Sequence, residues 1–330
     1  MIRYKKFFSL LTALCLTAGL TCCGSADNDS TTDVTSSKKI LVTISDSRNG
    51  IRGDFEKAIR KEGKAAGYDI TVQQTAGVLD TQIKQLRNAK QHKFGGVICW
   101  ADDPDAAKQL EIAANGLPIV FVNSLPDEDV LTQGSYVYVG SDDQKAGQDQ
   151  ASYVYDKLGK PDKLNLLMMK GKKDDDSTGR RTDAVRNYLT DHGCQVNIVF
   201  SDFADDSTDT AYSLMQRFRT TGQSFDAAIC NDDAMALGVI RYMQENGLST
   251  DQIPVCGVDG SKDALASIKS GGMSFTDMQQ TTKTARACID AIGRIKSGGT
   301  INGLSGASED GKYIWIPYQK VTADNVDKIR

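Results

Sequence analysis

The sequence predicts an α/β protein built as two doubly wound parallel-sheet lobes, joined by a multi-strand hinge with a ligand cleft between them. Three observations carry this. Short β-branched runs alternate with amphipathic stretches of helical period from Lys39 onward. The alternation starts again near Ala146, so a second sheet follows the first. The residues at the strand ends, where open α/β sheets bind their ligands, are strongly polar.

The first set of strands reads Ile40-Leu41-Val42-Thr43-Ile44, Ile70-Thr71-Val72, Gly96-Val97-Ile98-Cys99-Trp100, Pro118-Ile119-Val120-Phe121-Val122 and Tyr136-Val137-Tyr138-Val139. Helical period occupies Asp54 to Ala66, Leu79 to Lys90 and Pro104 to Asn115 between them. Right-handed crossovers then make one parallel sheet. The second set runs through strands at Lys163 to Met169, Gln195 to Phe200, Phe225 to Cys230 and Pro254 to Val258. Its helices fall at Ala146 to Leu158, Thr178 to His192, Asp209 to Thr220 and Asp233 to Asn246.

The chain has 330 residues and a formal net charge of −4 with dispersed basic residues, which excludes a nucleic-acid footprint. Met1 to Thr21 carries Arg3, Lys5 and Lys6 ahead of an apolar stretch from Phe7 to Leu20, the pattern of an export signal that stays out of the fold. The polar run from Gly24 to Ser37 has almost nothing to bury and reads as a flexible tether. What remains is long enough for two lobes.

Five cysteines lie beyond the leader: Cys99, Cys194, Cys230, Cys256 and Cys288. Their odd number and the lack of C-x-x-C spacing argue for buried thiols rather than disulfides or zinc. There is no G-x-S-x-G and no H-E-x-x-H, and His92 and His192 are the only histidines. Clustered carboxylates could serve a glycosidase as acid and base, but here they read as hydroxyl partners, and no enzyme is expected. The Asp174-Asp175-Asp176 run follows Lys172-Lys173 and lacks spaced oxygen ligands, so it reads as a solvated loop with Asp175 turned toward the cleft, and no metal or cofactor is expected.

The strand-end residues are Ser45 to Asn49, Trp100, Asn123-Ser124, Asp232-Asp233 and Asp259-Gly260. Helix N-capping accounts for some of the acids, Asp233 and Asp102 or Asp105 first among them. Together they describe a hydrogen-bonding pocket.

Leu20-Thr21-Cys22-Cys23 resembles the bacterial lipobox, with Cys23 as the lipidated residue and Cys22, standing where Gly, Ala or Ser is usual, as the other acceptor. Lys57-Ala58-Ile59, Leu117 to Asn123, Tyr138 to Asp142, Asn231 to Gly238, Ile253 to Asp259 and Ile316-Pro317-Tyr318 resemble the type I periplasmic sugar-binding proteins, substrate-binding components of ABC transporters. The N-D-D-A-M-A-L-G and G-V-D-G runs are the most specific. Within the family the likeness is greatest to galactose/glucose-binding proteins, then to ribose-binding proteins.

The resemblance implies ligand contacts at Asn49, Asn123, Arg181, Asp232, Asp259 and Gln279, with Ser45 and Asp175 as weaker carry-overs. Carboxylates, amides and a guanidinium suit hydroxyls, which both donate and accept. Two departures stand out. The stacking rings of hexose binders are replaced by Ile51, with Arg52 beside it, and by Asp206; Trp100 or Phe203 is left to substitute, simple burial being the other reading of Trp100. The calcium loop of the galactose-binding members has no counterpart at Leu158 to Lys163. A ligand more polar than galactose follows: a furanose, a polyol or an amine-bearing sugar.

The expected organisation is a signal peptide at 1–22, a lipidated tether at 23–38, an N-terminal lobe from 39–142 plus 280–311, and a C-terminal lobe from 143–279 plus 312–330. Hinge candidates are Ser141-Asp142-Asp143, Asp277 to Gln280 and the approach to Tyr313-Ile314-Trp315. The expected protein is a monomer, exported and held outside the bacterial cytoplasmic membrane by its lipid. It would close on a sugar or polyol and deliver it to an ABC transporter permease, or signal its presence to a sensor kinase or chemoreceptor. A repressor effector domain shares this fold, but an export signal stands where a helix-turn-helix head would be.

Overall fold

Lys39–Ile44 (β1) is buried from its second residue to its last, as expected of a central parallel strand covered on both faces. The computed structural model describes residues 36–47 and 50–329, all within a compact unit that begins at Asp33. The expected signal peptide, Cys22 and Cys23, and all but the last residues of the tether lie outside the described residues, as does Asn49. Among the described residues no helix is long and apolar enough to cross a membrane.

The first lobe follows β1 with Gly50–Ala65 (α1), Asp69–Gln74 (β2), Leu79–Ala89 (α2), Gly96–Cys99 (β3), Ala107–Ala114 (α3), Ile119–Val122 (β4) and Tyr136–Gly140 (β5). The second lobe contains Asp143–Lys157 (α4), Lys163–Lys170 (β6), Asp176–Asp191 (α5), Gln195–Phe203 (β7), Thr208–Arg219 (α6), Ala227–Cys230 (β8), Asp233–Glu245 (α7), Val255–Asp259 (β9), Lys262–Lys269 (α8) and Phe275–Met278 (β10). The chain then returns through Thr281–Ile295 (α9) and Tyr313–Trp315 (β11) to Gln319–Val321 (β12).

Two six-stranded sheets result, ordered β11-β5-β4-β3-β1-β2 and β12-β10-β9-β8-β6-β7. All paired strands are parallel except β12, which runs antiparallel to β10. The four-residue strands β3, β4 and β8 are wholly buried, whereas the edge strand β2 is half-exposed and carries Asp69, Gln73 and Gln74. Helix α9 belongs with the first lobe, because Cys288, Ile289, Ile292 and Ile295 share a core with Val42, Ile98, Val120 and Val139. Cys99, Cys194, Cys230, Cys256 and Cys288 are all buried free thiols.

The last segment departs from the expected boundary. Placing 312–330 wholly in the C-terminal lobe is incorrect, because β11 pairs with β5 and buries Ile314 in the first lobe's core. Trp315 also packs edge-on against Tyr138, ring centroids 5.6 Å apart. Only from β12 onward does the chain join the second sheet, where Val321 and Val326 enter its core. The third crossing is therefore Ile316 to Tyr318, after β11 rather than before it. The other crossings lie between β5 and α4 and between β10 and α9.

Two close approaches fix helix positions. A Cβ on Gly147 of α4 would stand 2.3 Å from the Arg181 carbonyl oxygen of α5, and one on Gly238 of α7 would stand 2.3 Å from the Thr208 oxygen. Only glycine lets these helix pairs pack so tightly.

Candidate ligand-binding cleft

Arg181 is the centre of the site. It leaves the second turn of α5, a helix capped by Asp175, whose carboxylate accepts from the Ser177 N–H. The side chain is only 7% exposed. Its Nε and Nη2 donate to Asp143 Oδ1 at 2.9 and 2.7 Å, and its Nη1 donates to the Asn231 carbonyl at 2.6 Å. Tyr318 completes the cage, its hydroxyl 3.3 Å from Nη2 and donating to Asp143 Oδ1 at 3.1 Å. A cation so desolvated is held by its partners, and the fork geometry of guanidinium suits that.

Arg181 forms one wall of a cleft of about 540 Å³. The first lobe contributes Arg52, Trp100, Asp102, Pro104, Asn123 and Ser124; the facing side brings Asp143, Lys172 to Ser177, Arg181 and Asp205. Lining carboxylates outnumber lining cations six to four, so the surface offers both acceptors and donors. That volume lies within the usual small-molecule range of roughly 300–1,000 Å³.

Of the expected contacts, Arg52, Trp100, Asn123, Asp175 and Arg181 line this cleft. Asn123 takes φ +63°, which asparagine tolerates better than most residues, and its carbonyl accepts from the buried Tyr138 hydroxyl at 3.2 Å. Asp232, Asp259 and Gln279 are not on this lining, although both acids are electrostatically coupled to Arg181. Asp259 sits at φ +110°, in territory glycine favours, and is held there by Gln279, whose Nε2 donates to Oδ1 at 3.0 Å and whose N–H donates to the Asp259 carbonyl. Strain of this kind clusters at binding sites. Burial first, with Asp259 next, pushes Asp232 up to about 7. Burial also raises Asp259 to about 6, against the pull of Arg181 and Gln279.

Ser45, Ile51 and Asp206 do not line the cleft. Ser45 is half-buried at the end of β1, and Ile51 packs against the first lobe's core. Asp206 is exposed and pairs with Lys172 at 3.3 Å. Neither substitute ring is a free stacking face. Trp100 is 3% exposed, lies edge-on to Phe55 and carries the Arg52 guanidinium 5.2 Å above its ring. Phe203 is covered by Lys170, whose Nζ stands 3.8 Å from the ring centroid.

The expected capping role of Asp233 is corrected. Asp232 is the cap, accepting from the Met235 N–H at 2.8 Å. Asp233, one residue into the helix, is buried and ties three segments together, accepting from the Thr276 hydroxyl at 2.6 Å and the Ser261 N–H at 2.7 Å. The other N-cap candidates, Asp102 and Asp105, give way to Asp103, which accepts from the Asp105 N–H.

Asp143, Asp102 and Tyr318 were not among the expected contacts. The hinge run Ser141-Asp142-Asp143 held a clue to the first: Asp142 caps α4, which frees Asp143 for Arg181.

Residues 40–300 match the family model described as a periplasmic binding protein domain. A Rhizobium meliloti protein provisionally named as rhizopine-binding is 25% identical over 282 residues, 84% of this chain and 85% of that one. The ribose import binding protein RbsB of Bacillus subtilis is 27% identical over 261 residues, 78% and 82% of the two chains. An ABC transporter solute-binding protein from Bacillus halodurans C-125, solved with bound myo-inositol, has a TM-score of 0.75 at 23% identity, covering 88% of this chain and 96% of that one. That last likeness is one of fold. The chain belongs to the periplasmic binding protein domain family and is a solute-binding protein, not an enzyme.

Proposed function

We propose that this protein is an exported lipoprotein, anchored through Cys23, that captures a polyol or a furanose sugar and presents it to an ABC transporter permease. The observation that carries the ligand class is the cleft wall: Arg181 is fixed by Asp143 and the Asn231 carbonyl, while neither Trp100 nor Phe203 offers a free face to a pyranose. Hydroxyls on every side suit such a surface better than a ring with an apolar face. The ribose and myo-inositol associated with its relatives are of this kind.

Capture proceeds by hinge closure. A ligand docks against one lobe, and the closed state is selected because both lobes' contacts are made only there. Bending falls on the three crossings, at Gly140 to Asp143, Met278 to Thr281 and Ile316 to Tyr318. Asp143 and Tyr318 belong to those crossings and bond to Arg181, while Gln279 holds Asp259, which acts on Arg181 electrostatically, so hinge angle and pocket geometry change together. The protein acts as a monomer, and its closed surface is what a permease reads.

Mass spectrometry of small molecules released from the purified protein tests the ligand class; a polyol or furanose is expected. A thermal-shift screen in which D-galactose or D-glucose gives the largest stabilisation at low concentration would refute it. The mass of the mature chain, with Cys23→Ser and Cys22→Ser compared, tests the anchor: only Cys23→Ser should abolish the added lipid.

A further inference from the structure

The first lobe's wall of the cleft contains two polar atoms that are buried and have no hydrogen-bond partner, Arg52 Nε and Asp102 Oδ2. One is a donor and the other an acceptor. Arg52 lies over the Trp100 ring, and Asp102 stands two residues beyond Trp100 in the chain. Leaving either atom unpaired costs about 1–3 kcal/mol. A folded site whose wall carries two such atoms, with the Arg52 charge near enough to act on the Asp102 carboxylate, is built for something that pairs with both.

The surroundings hold the two groups in place. The Asp102 N–H donates to Gln82 Oε1 at 3.0 Å, and the fully buried Gln82 donates in turn to the Trp100 carbonyl at 3.0 Å. The Thr75 hydroxyl also reaches the Asp102 carboxylate, and Arg52 acts on it electrostatically. The Arg52 side chain is braced against the Trp100 face. Neither side chain is loose enough to find another partner cheaply.

We infer that Arg52 and Asp102 form a donor and acceptor pair that grips a single hydroxyl of the ligand, and that this pair selects polyhydroxylated ligands over ones presenting an apolar face. The inference rests on the polyol reading of the cleft. A hydroxyl accepts from Arg52 Nε–H and donates to Asp102 Oδ2 at once. An ammonium satisfies only the carboxylate, and a ring face satisfies neither. The side chain standing beside the missing stacking position is thus one half of a polar clamp, whose other half is an acid that sequence reading assigned to helix capping.

The test is titration calorimetry of the full chain with myo-inositol and with D-ribose, using wild type, Asp102→Asn, Arg52→Gln and the double variant, with apo thermal midpoints measured alongside. For the tighter of the two ligands, each single substitution should weaken binding about tenfold to a hundredfold, as loss of one charged hydrogen bond implies. The double variant should lose clearly less than the product of the two, because both groups hold the same hydroxyl. Apo midpoints should stay close to wild type, which separates a loss of affinity from a loss of folding. Unchanged affinity in both single variants, with wild type still binding, would overturn the clamp and leave the polyol reading standing. Strictly multiplicative losses would overturn the shared hydroxyl. Absence of binding by wild type to both ligands would overturn the polyol reading, and the clamp with it.

Discussion

Arg181 and Asp143 meet across 38 residues of sequence, Nη2 to Oδ1 at 2.7 Å, with 9% and 12% of their side chains exposed. One comes from α5 and the other from the first residue after a lobe crossing. Their ion pair therefore joins the hinge to the pocket wall.

Breaking that pair leaves a buried guanidinium with too few counter-charges. Asp143→Asn is expected to lower unfolding stability by about 3 kcal/mol, read from the urea midpoint at unchanged slope. Binding of myo-inositol or D-ribose should weaken too, because Arg181 loses its fixed orientation. A midpoint within error of wild type would show that Asp259 and the Asn231 carbonyl suffice to hold the cation.

Asp277 gives the protein a pH dependence. It is fully buried in β10, and neither carboxylate oxygen has a hydrogen-bond partner. Burial first, then Asp149 of α4, raises it to about 7, opposed by Lys320 of β12, Lys145 of α4 and Arg181 of α5. The folded state thus keeps this proton through a range where the unfolded chain has released it, so this group's contribution falls as pH rises from about 4 to about 7 and is flat above. Asp277→Asn should raise stability on the order of 2 kcal/mol at pH 8, about a third of that at pH 5, and almost nothing at pH 3. Parallel stability curves for the two proteins across that range would rule this out.

Two glycines near the same helix pair should respond with opposite signs. Gly147→Ala gains helix propensity, but its Cβ would lie 2.3 Å from the Arg181 carbonyl oxygen and 2.8 Å from the Ala184 Cβ. Overpacking wins, at about 1–3 kcal/mol of lost stability, and the displaced backbone is that of Arg181, so affinity drops as well. Gly179→Ala in α5 meets nothing within 4 Å and should stabilise by about 0.5–1 kcal/mol. Thermal midpoints of the two variants decide the matter.

Neighbouring acids at the start of α7 divide their roles. Asp232→Asn keeps a good cap, so at pH 4, where the carboxyl that burial lifts to about 7 is protonated in the folded state, stability should move by less than about 0.5 kcal/mol. Asp233→Asn replaces one acceptor oxygen with a donor facing the Thr276 hydroxyl or the Ser261 N–H, at a cost of about 1–3 kcal/mol. Equal denaturation midpoints in the two variants would contradict this division.

Several of these roles could not be read from the chain. The run Asn231-Asp232-Asp233 marked a strand end and a helix start, yet which acid caps the helix depends on where the last buried strand residue falls, and that is decided by packing. Asp102 read as a helix cap because local hydrogen bonding explains most such acids; its unpaired oxygen is visible only once Arg52 and Trp100 stand beside it. The place of β11 was likewise closed to reading, since three residues pair with whichever edge lies nearest.

By itself the sequence determined nine of the twelve strands and seven of the nine α-helices among the described residues, and the family, because burial on both faces of a parallel strand demands a continuous apolar run and each crossover demands an amphipathic helix. It also supplied the polar inventory of the cleft, Arg181 foremost. The tertiary structure alone decided which of those polar groups face the ligand, which hold Arg181 and which tie one lobe together. The reason is physical: a hydrogen-bond partner is chosen by distance and desolvation, and Asp143 and Tyr318 reach Arg181 from 38 and 137 residues away.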